Sequence, residues 1–85
     1  MRFCYVLKEE WFDPEEGNDT VIEAVTFDEG IAKASLLGMK EESADTYDMT
    51  VEFESDNYYE LIAKDGAMNE GLSVILSFDT VLVLE

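Results

Sequence analysis

Between residues 47 and 54 the chain alternates without a break: Tyr47, Met49, Val51 and Phe53 are apolar, while Asp48, Thr50, Glu52 and Glu54 are polar. A period of two is the signature of a strand with one face buried and one in water. Such strands belong to antiparallel sheets, because parallel sheets are covered on both faces. A chain of 85 residues buries only about 60–65% of its unfolded surface, enough for one core and not for two. With 47% apolar residues, including five Phe, four Tyr and one Trp, it has the material for that core. The expectation is a single compact domain over residues 1–85.

The remaining elements follow from the same periodicities. Residues 2–8 read as a central strand, apolar on both sides, with Phe3, Tyr5 and Leu7 opposite Cys4 and Val6. Residues 9–19 carry Pro14, Gly17 and Asn18 among many carboxylates and read as a loop or a wide hairpin end, and residues 20–25 as a second strand. Thr26-Phe27-Asp28-Glu29 fits a capping box that opens a helix running to about Lys40, or stopping earlier at Gly38. Asp28 and Glu29 in its first turn and Lys40 in its last suit the helix dipole. Phe27, Ile31, Ala34 and Leu37 recur at helical spacing and are expected to face the sheet. After the acidic connection 41–45 and the alternating strand, Ser55-Asp56-Asn57 is turn chemistry, with Asn57 suited to the left-handed conformation.

Residues 58–63 then return antiparallel, with a helix over 56–65 as the alternative. Pairing Glu54 with Tyr58 puts Leu61 opposite Val51 but sets Glu52 against Glu60, a repulsive pair. A two-residue turn instead pairs Phe53 with Glu60 and turns a carboxylate inward, which favours the first register. Lys64-Asp65-Gly66 is a turn, residues 72–78 alternate again, Asp79-Thr80 interrupts, and residues 81–84 form a last short strand, apolar on both faces. That strand calls for cover by the helix on one side and by loops or a partner on the other. The fold class expected is α+β: a single antiparallel sheet of about five to six strands, in the order β-β-α-β-β-β-β along the chain, with one helix packed on one face.

Twenty-one Asp and Glu against five Lys and Arg give a formal charge of −16, and no basic residue follows Lys64. The excess is about twice the upper end of the roughly 2–8 charges that keep a small domain in solution, and it steers association with basic partners. It argues against direct nucleic-acid binding and against anionic membrane surfaces. Cys4 is the single cysteine, which permits no intramolecular disulfide and suits a reducing compartment. No apolar run approaches the ~18 residues of a membrane span, so a cytoplasmic location is expected.

Catalysis finds little support. There is no histidine, no Ser/His or Cys/His pair to activate a nucleophile, and Cys4 reads as a small buried hydrophobe. Asp13, Glu15, Asp19 and Glu23 lack the spacing of a calcium loop, and no Gly-rich phosphate loop is present. No catalytic residue, metal ligand or cofactor is assigned, and the chain is expected not to be an enzyme. The candidate partner-binding residues are acidic. Asp48, Glu52 and Glu54 lie on one strand face, where residues two apart are separated by about 6.6 Å, with Glu60 beside them, a row that a phosphate-binding groove could accept. Glu9, Glu10, Asp13, Glu15 and Glu16 surround Trp11, an aromatic anchor amid charge.

In size, charge and the opening pattern of two strands followed by a helix, here Thr20-Val21-Ile22-Glu23-Ala24-Val25-Thr26-Phe27-Asp28-Glu29-Gly30-Ile31-Ala32-Lys33-Ala34, the chain resembles the small acidic inhibitors, anti-CRISPR and antirestriction proteins, that phages use against host defence. Several of these act as DNA mimics. The resemblance covers under half of the chain and carries no diagnostic motif. It implies an inhibitor, monomeric or weakly dimeric, that blocks the basic nucleic-acid-binding surface of a CRISPR effector or restriction enzyme in the host cytoplasm. An antitoxin or immunity protein against a basic toxin, and an acidic housekeeping domain of a salt-adapted organism, are the alternatives.

Overall fold

The computed structural model describes residues 2–66 and 68–84 and shows one antiparallel sheet with one helix on one face. Five strands, β1 (Arg2–Asp13), β2 (Gly17–Thr26), β3 (Met49–Ser55), β4 (Tyr58–Ala63) and β5 (Ser73–Val83), and the helix α1 (Glu29–Thr46) follow in the order β1-β2-α1-β3-β4-β5. Across the sheet the order is β2-β1-β5-β4-β3. The α+β class and the helix on one face are as the sequence indicates.

The longest departure lies in β1 and β2. Of the segment read as a loop or a wide hairpin end, residues 9–13 and 17–19 are strand: Glu9 and Trp11 continue the parity of Leu7 while Glu10 and Phe12 continue that of Lys8, and all four pair with both neighbours. Only Pro14, Glu15 and Glu16 lie between the paired residues Asp13 and Gly17. Asp13 Oδ1 accepts from the backbone N–H of Glu15 (2.8 Å) and Glu16 (3.3 Å), and Gly17 takes φ +93°, the left-handed residue that closes a three-residue hairpin loop. At the other end of the chain, Asp79 and Thr80 do not interrupt β5. They pair with Val6 and Tyr5, so the two final strands expected are one.

The helix also differs from its expected bounds and face. Asp28, not Thr26, is the N-cap, accepting from Ile31 N–H at 3.0 Å, while the Thr26 hydroxyl accepts from Asp28 N–H at 3.2 Å. The helix continues past Lys40 through the acidic segment to Thr46, where Tyr47 N–H donates to Ser43 O (3.1 Å) and Asp48 turns the chain with φ +52°. Lys40 is therefore mid-helix, over the Tyr59 ring at 5.7 Å. The buried stripe is Ala32, Leu36 and Ser43, whereas Phe27, Ile31 and Leu37 are exposed. The stripe from Ile31 through Ala34 and Leu37 meets Glu41 one turn on and Asp45 two turns on, but the stripe through Ala32 and Leu36 reaches Met39 and the small Ser43. Only the second can stay against the sheet for the whole helix.

That stripe meets Leu7 of β1, Val74, Leu76 and Phe78 of β5, Leu61 of β4 and Met49 of β3 in one buried cluster. Tyr5 closes it edge-on against Phe78, with ring centroids 5.7 Å apart. The other sheet face carries no helix, and Ile22, Val25, Phe53, Ile62 and Val81 remain exposed there.

Each outer strand carries one unpaired residue. In β2 it is Glu23, between the pairs Leu7–Ala24 and Lys8–Ile22; in β3 it is Glu52, between Val51–Leu61 and Phe53–Glu60. The second bulge reconciles the two registers weighed above. Val51 faces Leu61 as the core demands, yet Ser55 pairs with Tyr58 across the two-residue turn. The register pairing Glu54 with Tyr58 is thus corrected: Glu60 lies beside Phe53 on the uncovered face and Glu52 opposes no carboxylate. Asn57 does not take a positive φ, and residues 58–63 are strand rather than helix.

Leu36→Ala is expected to lower unfolding stability by about 2–5 kcal/mol, as a fully buried leucine, and Ile31→Ala by under about 1 kcal/mol, since its side chain stays in water. Urea denaturation of both variants measures the difference; equal losses would assign the helix face wrongly.

Candidate acidic interaction site

The fold redistributes the carboxylates singled out in the sequence. Asp13, Glu15 and Glu16 lie at the tip of the β1–β2 hairpin. The β4–β5 connection folds against that tip: Gly71, at φ +92°, sits so close that a β-carbon there would lie 2.9 Å from Pro14 Cγ. Leu72 N–H donates to Asn69 O (2.9 Å) and Gly66 N–H to the Glu70 carboxylate (3.0 Å), which holds Glu70 in place. Two adjoining depressions result, one lined by Asp13, Pro14, Glu15 and Glu70, the other by Trp11, Asp13, Glu16, Asp19 and Tyr47, with Asn69 and Leu72 common to both. No Lys or Arg lines either.

A third depression continues from the second past Trp11 and Tyr47, and is lined by Glu9, Glu23, Glu42 and Ser43. Here the bulge at Glu23 and the parity of Glu9 bring two carboxylates together beneath the helix. Burial of Glu9, with a hydrogen bond to Glu23 and the nearby Glu23 charge, raises its pKa from the ordinary 4.5 to about 7; the Trp11 indole N–H, donating to Glu9 at 3.5 Å, opposes the rise. Glu9 therefore holds a proton into the neutral range.

Trp11 is not a free anchor. Its ring packs against Tyr47 with centroids 5.0 Å apart and borders the core. Asp48, at the end of the helix, pairs with Lys64 at 2.9 Å. The expected row of Asp48, Glu52, Glu54 and Glu60 does not form, because the bulge at Glu52 changes the parity of the strand: Glu54 pairs with Tyr59 and Glu60 with Phe53 on opposite faces. Glu60 accepts from the Tyr58 hydroxyl (3.2 Å). Glu10 lies on the uncovered face, where Lys8 bridges it (3.3 Å) to Asp79 (3.0 Å), and hydrogen bonds first to Asp79 and then to Glu10 raise the Lys8 pKa.

All five basic residues are thus engaged within the chain. Lys8 and Lys64 pair as described, Lys33 pairs with Glu29 at 3.2 Å, Lys40 lies over Tyr59, and the Arg2 guanidinium sits 3.8 Å from the Phe27 ring centroid. None is directed at the acidic hairpin end. Asp19, Glu23, Glu42 and Glu70 complete that end and were not assigned to it from sequence. Asp19 and Glu23 stood out there only as cation candidates, and the close approach of Gly71 to Pro14, which brings in Glu70, has no local signal. Among the described residues no group of three or more Cys, Asp or Glu is arranged to hold a metal ion, and no helix is long and apolar enough to cross a membrane. No protein-family model, curated protein or solved structure matches the chain.

A raised acid pKa means that the folded state binds the proton more tightly than the unfolded chain. The Glu9 contribution is therefore intact below about pH 4.5 and is lost as pH rises toward about 7. Glu9→Gln should remove that slope and stabilise the fold at pH 8 by about 1 kcal/mol, after discounting for its partial exposure. Thermal unfolding between pH 5 and 8 checks this; an unchanged slope would show that Glu9 does not hold the proton.

Proposed function

We propose that this protein is an acidic inhibitor that occupies the cationic, nucleic-acid-binding surface of another protein, a host-defence nuclease such as a CRISPR effector or restriction enzyme. The observation that carries this reading is the hairpin end, where Asp13, Glu15, Glu16, Asp19 and Glu70 border two adjoining depressions without a cation, while every Lys and Arg is engaged elsewhere. Concentrated carboxylates on a fixed scaffold raise the encounter rate with a basic surface and fix its orientation. Hairpin and turn fix the backbone here, so little ordering entropy opposes binding. The contact residues of this reading are Glu15, Glu16, Asp19 and Glu70, with Asp13 shaping the turn and Trp11 supporting it from within. Glu52 and Glu54, separated from that end, are secondary.

The test is displacement of labelled DNA or RNA from purified effector nucleases. Reversal of Glu15, Glu16 and Asp19 to Lys should weaken displacement at least about tenfold, equal to ~1.4 kcal/mol, and reversal of Glu52 and Glu54 should weaken it less. Affinity of the unmodified protein should fall as salt rises, because screening shortens to about 8 Å at physiological ionic strength. Full displacement by the hairpin-reversed protein would end this proposal.

A further inference from the structure

At the end of the sheet remote from the acidic hairpin, β5 outruns its neighbour. β4 pairs with β5 only from Ser73 to Ser77, and the last contact on that side is Phe78 N–H donating to Asn57 O at 3.1 Å. From Asp79 to Val83, β5 pairs with β1 alone among the described residues, which leaves its other edge open to them. The edge strands β2 and β3 each carry a bulge with a glutamate at the irregular position, features that discourage strand addition. The open stretch of β5 has none. Its side chains include Val81 and Leu82, each 43% exposed, next to Phe3 at 50%.

We infer that this edge is where a second copy of the chain docks, β5 against β5 antiparallel about a two-fold axis at Val81. Backbone groups on a strand point alternately to its two sides. Ala63 N–H donating to Leu72 O and Phe78 N–H donating to Asn57 O show that even-numbered residues of β5 address the β4 side. Thr80 and Leu82 therefore present free N–H and C=O groups at the open edge. With Val81 on the axis, Thr80 faces Leu82 of the second copy and Leu82 faces its Thr80, so the pair closes four hydrogen bonds. The match in length is equally specific: five residues, Asp79 to Val83, lie beyond Asn57, and the same five arrive from the second copy before its own Asn57 is met.

Charge selects this occupant as well. Two chains of −16 repel strongly wherever acids are dense, but along the paired segments of β1 and β5 at this end the formal charges are Arg2 and Asp79, the latter held by Lys8. In the antiparallel arrangement the two acidic hairpins point away from each other. With ~3.3 Å per residue from Cys4, which pairs with Val81, to Asp13, they stand roughly 60 Å apart, many screening lengths at physiological salt. Each dimer would thus keep both acidic ends free, and the dimer stands whether or not the proposed function does.

Sedimentation equilibrium of the full chain tests this. A dimer is expected at about 0.15–0.3 M salt, weakening at ~0.01 M, where the screening length grows to about 30 Å and repulsion between the two acidic chains reaches further; this is the opposite salt dependence to that of an acidic protein on a basic partner. Thr80→Pro removes an N–H that points outward and is tolerated at a sheet edge, so it should leave the circular dichroism unchanged and raise the dimer dissociation constant at least about tenfold. Independently of that variant's folding, Val81→Cys should cross-link two copies under mild oxidation, because residues facing each other at a non-hydrogen-bonded position lie about 4.5 Å apart. It is made with Cys4→Ala, since Cys4 is opposite Val81 in the same chain. Ile62→Cys in that background, exposed on the same face but away from the axis, should not cross-link comparably. A chain monomeric at all salt concentrations, or a dimer that neither cross-links through residue 81 nor responds to a folded Thr80→Pro variant, overturns the inference.

Discussion

One layer of aliphatic side chains holds this molecule together, the Ala32 and Leu36 stripe of the helix set against Leu7, Leu61, Val74 and Leu76 of the three inner strands. Every one of these is at most 1% exposed, and since a single helix covers a single sheet face, the described residues form no second core to compensate for a loss here. The contact fixes the depth of the helix and thus the place of its C-terminal turn. Tyr47 then meets Trp11, Asn69 donates from the β4–β5 connection to Tyr47 O at 3.4 Å, and the acidic hairpin end takes its shape from that meeting.

The same constraint explains how a chain of −16 folds at all. Close-packed positions are given to aliphatic residues, and carboxylates are distributed to hairpin tips, bulges and the outer helix face, where water screens their repulsion. The exception is Glu9, whose parity in β1 places it under the helix beside Glu23. It is accommodated by protonation rather than by a cation, as expected when like charges are brought together in a partly desolvated site. The basic residues act as local clasps, Lys8 across three residues of the bare face and Lys64 on the residue that turns the chain out of the helix.

The two ends of the sheet consequently have opposite characters. One gathers acids in depressions that no Lys or Arg lines; the other carries Arg2 and Asp79 on its paired strands and exposes Phe3, Val81 and Leu82 beside a strand edge that is unpaired among the described residues. A molecule 49 Å in its longest dimension can keep the two apart because β1 and β5 are long strands paired along almost their whole length. Polarity of this kind depends on topology, since Asp13 and Glu70 are distant in sequence and join only because β5 returns beside β1.

Several features were legible in the residues themselves. The strand character of β3, the alternation in residues 72–78 and the single helix after two strands are local, and local sterics and hydrophobic periodicity decide them; Pro14, Gly17 and Asn18 marked a hairpin end without its bounds. The α+β class follows from these elements alone. What the tertiary structure decided is where local signals compete. Two apolar stripes were available to the helix, and only contact with a long sheet selected the one that runs through Ser43. Two hairpin registers were open to β3 and β4, and the need to face Val51 with Leu61 while closing a two-residue turn was met by a bulge at Glu52, which in turn dispersed a row of carboxylates that looked continuous along the strand. The joining of Glu70 and Asp19 to the hairpin acids likewise lay beyond the sequence, because charge carries no local record of which distant turn will fold against it.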